Sequence, residues 1–241
     1  MISIRSLKLV NDPGVLESIP QGKTLINTVY AYSFTVAQTD KCFAEALQHG
    51  DYLTPDGQGI VWACRFLKLP DAPKVRIAGW DLFISEMSRL EAGRKVMFLG
   101  SSEETLAKIR ARAAVDYPQL DVVTYSPPFK AEFSKEDSAA MVAAINAADP
   151  DLLWIGMTAP KQEKWAYEHW PELDIHCHCG TIGAVFDFYA GTVRRAPKWM
   201  QKSGLEWLHR LCSNPKKMWR RYIIGNARFI HLVLKEKRKT V

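Results

Sequence analysis

The sequence TPDGQG at 54–59 combines a carboxylate, Asp56, with two glycines, Gly57 and Gly59. The residues before it predict a short strand over 51–54, which places Asp56 at a strand's carboxyl end, where ligands bind in open parallel sheets. The glycines let a ligand approach the backbone closely. A carboxylate there can act as a general base towards a hydroxyl group within hydrogen-bond reach. An Asp that only shapes a turn and caps the next helix explains the same motif.

A second polar cluster, PKQE at 160–163, follows an apolar run that ends in glycine. The pattern predicts a strand over 152–156 and then a helix whose first turn carries Lys161, Gln162 and Glu163. Free backbone N–H groups at a helix start, together with a lysine and an amide, suit a diphosphate or the edge of a nucleobase. This order of residue types is more specific than an ordinary helix start requires.

Other candidate residues flank the same predicted edge. Thr28 and Tyr30 end a predicted strand over 23–30 and are placed to face the same crevice, although β-propensity alone also explains them. Arg76 and Asp81, in the sequence RIAGWD, supply a cation and a carboxylate suited to a nucleotide sugar. A surface ion pair at a helix start explains Arg76 and Asp81 equally well.

His176, Cys177, His178 and Cys179 form a run of residue types that bind metals. The run lies in a predicted strand over 173–179, in which successive side chains point to opposite faces. The two histidines then face one side and the two cysteines the other, so the four cannot converge on one ion. We expect a buried parallel strand here and no metal site.

These residues need a scaffold that gathers strand ends at one edge. Strand-length apolar runs alternate with segments of helical period, which predicts an α/β fold, a Rossmann-like and mostly parallel sheet flanked by helices. A helix is predicted over 33–48. Predicted strands cover 23–30, 51–54, 95–100, 121–125, 152–156 and 173–179. Gly100 ends the third of these before another helix, and this order of strand, glycine and helix is a ready anion site.

Charge is distributed unevenly along the 241-residue chain, whose net charge is +6. Residues 194–241 carry 14 Lys and Arg against only Glu206 and Glu236, a balance of +12, which leaves −6 for residues 1–193. We therefore predict an α/β core over 1–193 and a basic helical appendage over 194–241. Such an appendage favours phosphate, whether on a lipid head group, a nucleotide or a nucleic acid.

The last helix of the appendage is predicted to begin at Asn214 and Pro215. Its apolar residues fall close to one face: Trp219, Tyr222, Ile223, Ile230, Val233 and Leu234. Two interpretations stay open. The helix packs on the core and exposes a solvated charged face, or it binds a membrane surface and phosphate.

Composition narrows the class of protein. Hydrophobic residues make up 47% of the chain, which suits a globular core, and no run approaches the roughly 18–20 apolar residues of a membrane span. The N-terminal sequence is too short and too charged for a signal peptide, and five cysteines in a long chain argue against a disulfide framework. We expect a cytoplasmic protein, soluble or peripheral. The absence of GxGxxG, GxxxxGKS and GxxxxGKT weakens dinucleotide-binding and P-loop interpretations.

An ordered series of motifs between Thr28 and Arg221 resembles the bacterial WecG/TagA/CpsF glycosyltransferase family, of the N-acetylmannosaminyltransferase type. Each motif is weak alone, whereas their order and spacing together are specific. The motifs are Thr28, AxxDxxFAxAL at 37–47, PDGxG at 55–59, RxxGxD at 76–81, FLG at 98–100, PKQE at 160–163, FDxxAG at 186–191, RAP at 195–197 and GLEWLxR at 204–210.

The resemblance implies inverting transfer of a sugar from a UDP-sugar to a lipid-linked saccharide diphosphate, at the inner membrane face and without metal or cofactor. It implies Asp56 as general base, with Thr28 near the reacting sugars. Residues assigned to the donor nucleotide are Gly57, Gly59, Arg76, Asp81, Gly100, Lys161, Gln162, Glu163, Gly183 and Asp187. Residues assigned to the acceptor diphosphate, on an appendage that closes over the site, are Arg195, Arg210, Arg220 and Arg221. An anionic membrane surface is an expected partner, nucleic acid is not, and a homo-oligomer stays open.

Three departures from the family's pattern concern the sugars and leave Asp56 untouched. Tyr30 stands where the family often has asparagine. The glycine-rich loop before the FD pair reads TIGA at 181–184, and the residues before PKQE read GMTA at 156–159. The donor and acceptor sugars therefore stay open. Two other classes remain as alternatives, a Rossmann-like nucleotide-cofactor enzyme and a basic module that binds membranes or nucleic acids.

Overall fold

A computed structural model describes residues 2–239. Its strands are β1 (Thr24–Val29), β2 (Tyr52–Pro55), β3 (Lys95–Gly100), β4 (Asp121–Tyr125), β5 (Leu152–Gly156) and β6 (His178–Thr181). They form a six-stranded sheet in the order β2-β1-β6-β5-β3-β4, and every neighbouring pair runs parallel. The predicted fold class, a Rossmann-like parallel α/β sheet flanked by helices, is confirmed.

The core helices connect these strands. They are α1 (Gly14–Glu17), α2 (Ala31–Val36), α3 (Lys41–His49), α4 (Gln58–Phe66), α5 (Gly79–Arg89), α6 (Glu103–Asp116), α7 (Lys135–Ala148), α8 (Lys161–His169) and α9 (Gly183–Tyr189). Apolar residues of α5, α6 and α9 pack on one face of the sheet, together with Ile26 and Trp154. Residues of α7 and α8 cover the other face, together with Leu25 and Leu153. Helices on both faces explain why every residue of β1 and β5 is buried.

The single helix predicted over 33–48 is wrong. The chain forms two helices, α2 and α3, separated by a short turn. The carboxylate of Asp40 accepts a hydrogen bond from the Phe43 N–H at 2.9 Å and so caps α3. A cap of this kind satisfies a free N–H group and starts a new helix. The apolar spacing continues across the turn because both helices bury residues in the same cluster.

The strand predicted over 173–179 is also wrong in extent, because β6 covers only His178–Thr181. Residues Trp170–Glu172 form a 3₁₀ turn. The pairing with both β1 and β5 begins at His178. Leu173 and Ile175 are nevertheless buried in the core. These two apolar residues make the sequence of the segment look like that of a strand, although residues 173–177 are outside β6.

Side chains alternate across the sheet at the start of β6. Cys177 and Cys179 pack in the core with α7 and α8. His178 points to the opposite face, where its Nδ1 lies 2.8 Å from a carboxylate oxygen of Glu86. The hydrogen bond to Glu86 raises the pKa of His178, against the opposing effect of burial. The side chain of His178 and those of the two cysteines therefore lie on opposite faces of the sheet.

Residues 194–239 follow the core as a series of helices. They are α10 (Lys198–Lys202), α11 (Glu206–Ser213), α12 (Pro215–Trp219), a π-helical turn over Arg220–Ile224 and α13 (Gly225–Arg238). The helix α13 packs against α2. Its residues Phe229 and Val233 are buried in the same cluster as Phe34 and Ile60 of the core. The ring of Phe229 meets that of Phe34 edge to face, at 5.8 Å between centroids.

The apolar stripe predicted on the last helix is divided lengthwise. One edge, with Tyr222 and Val233, is buried. The adjacent edge is exposed to solvent and consists of Trp219, Ile223, Ile230 and Leu234, which are 44–57% accessible. We call these four side chains the exposed flank. The six residues do not share one environment, because a stripe this wide covers more of the helix than one contact with the core can bury.

Candidate active site

The carboxyl ends of β1, β2, β5 and β6 lie next to one another at one edge of the parallel sheet, and we call the space beyond this edge the crevice. Asp56 lies there directly after β2, and its backbone N–H donates a hydrogen bond to the Val29 carbonyl at 2.8 Å. The next residue, Gly57, has a φ of 98°, in the region that favours glycine. The strand end and this turn together fix Asp56 at the start of α4.

Asp56 keeps part of its surface open to solvent, although protein surrounds it densely. Burial raises the pKa of Asp56 to about 6. The carboxylates of Glu206 and Asp81 act in the same direction, and the guanidinium groups of Arg76 and Arg210 oppose them. A carboxyl group whose pKa lies near neutrality in a ligand crevice is suited to general base catalysis.

The segment before α5 brings Arg76 to this crevice, and Asp81 lies in the first turn of α5. The Ile77 N–H donates a hydrogen bond to the Pro55 carbonyl at 3.0 Å, so the segment runs alongside the end of β2. The Arg76 guanidinium lies 3.8 Å from the Glu206 carboxylate of the appendage. Asp81 instead accepts a hydrogen bond from the Ala78 N–H at 3.0 Å, which caps α5.

Gln162 joins the loops that follow β5 and β6. Its side-chain oxygen accepts hydrogen bonds from the Met157 N–H at 3.0 Å and from the Gly183 N–H at 3.1 Å. Its amide nitrogen donates to Glu163 at 2.9 Å. Gln162 is only 4% exposed, and its hydrogen bonds hold the two loops together at the crevice.

Gly183 is required by this arrangement. A Cβ atom at position 183 would lie 2.0 Å from the Met157 carbonyl oxygen and 2.6 Å from the Gln162 side-chain oxygen. Only glycine lets the two loops approach this closely. Gly183 also begins α9, which carries Asp187 one turn further on.

Glu163 is a buried carboxyl group with an unused oxygen. It is 1% exposed, and its Oε2 has no hydrogen-bond partner within residues 2–239. Burial raises the pKa of Glu163 to about 7, against the opposing effects of the Gln162 hydrogen bond and the charge of Arg221. Such an atom marks a position where a ligand can complete the hydrogen bonding.

The π-helical turn contacts the residues that follow β1. Thr28 is 7% exposed and pairs with Thr54 in the sheet. The Arg221 guanidinium lies over the rings of Tyr30 and Tyr32, at 5.7 and 5.3 Å from their centroids. Burial raises the pKa of the Tyr30 phenol. These cation–π contacts bring an appendage arginine to a strand end of the core.

The crevice does not gather every predicted residue. Lys161 donates to the Lys130 carbonyl and lies 3.4 Å from the centre of the Phe133 ring, so it points to the loop before α7. Arg220 lies over the Trp219 ring on the outer side of the helix. Gly100 pairs with Gly156 in the sheet, and Gly59 lies close to Ala31 and Phe229.

The four predicted acceptor arginines lie at four different positions, of which those of Arg220 and Arg221 are described above. Arg195 pairs with Glu206 and lies 5.2 Å from the Trp80 ring centre. Arg210 lies over the Phe188 ring, and its charge acts on Asp56 and Tyr30. Glu206 and Tyr222 are site residues that the sequence did not single out. In the sequence, Glu206 belongs to the GLEWLxR motif and Tyr222 to the apolar stripe of the last helix. Neither pattern shows that the side chain lies near Asp56.

A sequence model described as the WecG/TagA/CpsF glycosyl transferase family matches residues 8–241. The chain belongs to this family. It is therefore a glycosyltransferase, as the resemblance predicted, and this excludes the alternative of a Rossmann-like cofactor enzyme.

Two curated relatives of this glycosyltransferase carry the name N-acetylglucosaminyldiphosphoundecaprenol N-acetyl-beta-D-mannosaminyltransferase. The protein from Bacillus spizizenii strain W23 is 29% identical over 197 residues, which cover 81% of this chain and 73% of the relative. The protein from Bacillus subtilis strain 168 is 27% identical over 215 residues, which cover 89% of this chain and 80% of the relative.

Two further observations concern metals and membranes. Among the residues that the structure describes, no group of three His, Cys, Asp or Glu side chains is arranged to hold a metal ion. Within residues 2–239, no helix of this glycosyltransferase combines the length and apolar character needed to span a membrane.

Proposed function

We propose that the protein is an inverting glycosyltransferase that moves a sugar from a UDP-sugar to a polyprenyl-diphosphate-linked saccharide during cell-surface polysaccharide synthesis. The observation that carries the proposal is Asp56, a densely surrounded carboxyl group with a pKa near 6 at the carboxyl edge of the sheet. The names of the two Bacillus proteins support a lipid-linked acceptor. We also propose that residues 1–193 are the catalytic core and that residues 194–241 are the appendage for the lipid diphosphate.

In the proposed step, an acceptor hydroxyl oxygen forms a bond to the anomeric carbon of the donor sugar. Its proton passes to Asp56. The bond between the anomeric carbon and the UDP oxygen breaks, and its electron pair leaves with UDP. Attack from the face opposite UDP inverts the anomeric centre. A carboxylate whose pKa is about 6 is a stronger base than an ordinary aspartate, whose pKa is about 3.9.

Arginines and backbone donors would stabilise the departing UDP. Arg76 and Arg210 already act on Asp56 through their charges, and Arg221 lies over Tyr30 at the end of β1. Guanidinium groups donate in a fork that matches phosphate oxygens, and fixed donors stabilise charge as it develops. We infer that these cations neutralise the leaving group without a divalent ion. Thr28 would lie near the reacting sugars, and the unused oxygen of Glu163 would accept a hydrogen bond from the donor.

A panel of UDP-sugars tests this proposal. The full chain is incubated with each donor and a prenyl-diphosphate-linked N-acetylglucosamine acceptor, with and without EDTA. We expect transfer from one UDP-N-acetylhexosamine or UDP-hexose, an inverted linkage by NMR, and an unchanged rate in EDTA. Tyr30 differs from the family's usual residue, so N-acetylmannosamine is one member of the panel and is not assumed. Retention of configuration, or loss of the rate in EDTA, would contradict the mechanism.

We propose further that the enzyme acts peripherally at the inner face of the cell membrane, through the exposed flank. This flank presents four large apolar side chains to solvent on a segment whose balance is +12. Exposed basic side chains lie on the same helices or directly after the last of them: Lys216, Arg220, Arg228, Lys235, Arg238 and Lys239. An apolar edge bordered by cations fits an anionic lipid surface, where the apolar atoms enter the head-group region.

Replacing Trp219, Ile223, Ile230 and Leu234 together by serine is expected to weaken binding to anionic vesicles about tenfold or more. Sedimentation with phosphatidylglycerol vesicles at low and high salt measures the effect. A matched control replaces two exposed apolar residues of the core, Val115 and Phe129, by serine, and should bind as the unmodified protein does. Equal losses in both variants, or none in either, would move the membrane contact elsewhere.

A further inference from the structure

The appendage has 14 Lys and Arg but only two acidic residues, Glu206 and Glu236, and each of these contacts the core. Glu236 binds the N-terminal turn, where it accepts hydrogen bonds from the Ser3 hydroxyl at 2.5 Å and from the Ile4 and Arg5 N–H groups at 3.1 Å. Glu206 binds at the crevice. Both acidic side chains of this strongly basic segment therefore contact the core.

Glu206 lies between two arginines from different parts of the chain. Its Oε2 is 3.8 Å from Arg76 of the core, and its Oε1 accepts a hydrogen bond from Arg195 at 3.3 Å. The three side chains are only 17–22% exposed, so solvent screens these pairs less than it screens a surface ion pair. Arg195 also rests on the Trp80 ring, which limits its rotation.

The two arginines keep donors for a ligand. A guanidinium group has five N–H donors in a fixed plane. Within residues 2–239, neither Arg76 nor Arg195 donates another side-chain hydrogen bond besides the contact with Glu206. Holding a long side chain in one rotamer before the ligand arrives removes an entropic cost from binding and from the transition state.

We propose that Glu206 is a positioning residue that aims Arg76 and Arg195 at a diphosphate group beside Asp56 and ties the appendage to the core at the crevice. The inference rests on the proposed function for the nature of the ligand, a sugar nucleotide or lipid diphosphate. Its electrostatic consequence for Asp56 does not depend on that ligand.

This consequence follows from the charges around Asp56. Glu206 and Asp81 favour its protonated form, Arg76 and Arg210 favour the carboxylate, and the Tyr222 phenol also lies within electrostatic range. Glu206 has the largest effect of these charges. Neutralising Glu206 therefore shifts the titration of Asp56 to lower pH, and the acid limb of the kcat/KM profile moves with it.

Glu206→Gln tests the proposal, because the amide keeps the shape of the side chain and removes its charge. We expect kcat to fall about 10- to 100-fold, because Arg76 and Arg195 would no longer be held in position for the diphosphate. The KM for the sugar nucleotide should stay constant or fall, because the crevice becomes more positive. Glu236→Gln, the same change at the other contact, should leave the acid limb where it is. A raised KM with unchanged kcat, or an unmoved acid limb, would overturn the proposal.

A measurement without substrate separates this inference from the proposed function. The carboxyl carbon of Asp56 is titrated by NMR in the full chain, with Asp56→Asn identifying its signal. Glu206→Gln should lower the titration midpoint of Asp56, even if no UDP-sugar is a donor. An unchanged midpoint would overturn the inference while leaving the transfer reaction intact.

Discussion

Replacing Asp56 by asparagine is expected to lower turnover by about 10²-fold or more, because the variant keeps the shape of the side chain and loses the proton acceptor. In the unmodified enzyme the rate should rise with pH through an acid limb near 6, as Asp56 ionises. The variant should lose this limb. Initial rates with the active UDP-sugar from pH 5 to 8 measure both effects.

The fold of the Asp56→Asn variant should be intact. Folding raises the pKa of Asp56 from 3.8 to about 6, so its contribution to stability is greatest below the ordinary value and is lost as the pH rises through 6. An asparagine does not titrate, and at pH 8 the variant should be at least as stable as the unmodified chain. Thermal unfolding at pH 5 and pH 8 measures this.

A matched control is Asp12→Asn, the same change at an exposed residue that pairs with Lys74. It should retain activity and the acid limb. Near-normal turnover in Asp56→Asn would show that another group, or none, accepts the proton.

Gln162→Ala is expected to destabilise the chain by about 2 kcal/mol, because two backbone N–H groups and Glu163 lose their partner at once. For a chain of this size the change corresponds to a fall in Tm of roughly 4–8 °C. Transfer activity should fall as well, since the loops after β5 and β6 would separate. Calorimetry and initial rates measure the two effects.

Gln162→Glu is the informative control. A carboxylate oxygen still accepts from the Met157 and Gly183 N–H groups, while the hydrogen bond to Glu163 then needs a shared proton. The pKa of Glu163 is about 7, so the variant should resemble the unmodified protein at pH 5 and become unstable at pH 8, as two neighbouring carboxylates ionise. A variant with Ala and a variant with Glu that unfold alike at both pH values would show that Gln162 has no acceptor function.

Much of the fold was determined by the sequence itself. The parallel sheet is a consequence of apolar runs at strand length that alternate with helical segments, and these patterns are local. The position of Asp56 could also be predicted from its neighbours in the sequence, because the carboxyl end of a strand in a parallel sheet is where ligands bind. The motifs also predicted the family, and the family match over residues 8–241 confirms it.

Local patterns were insufficient where a second element intervened. The apolar spacing across 33–48 continues through a turn, where Asp40 caps a second helix. The segment 173–179 contains buried apolar residues, but only its last two residues belong to a strand. Lys161 follows the PKQE pattern but points to Phe133, because the loop before α7 lies beside it. A neighbour distant in sequence decided the outcome for Lys161 and for 173–179, whereas the local cap at Asp40 decided it for 33–48.

Asp56 shows most clearly what only the tertiary structure decided. The sequence places a carboxylate at a strand end, whereas its pKa near 6 depends on burial and on charges from Glu206, Arg76, Arg210 and Asp81. Two of these residues come from the appendage, about 150 residues later in the chain. Electrostatic interactions depend on distance and on the exclusion of water, and the folded chain alone determines both.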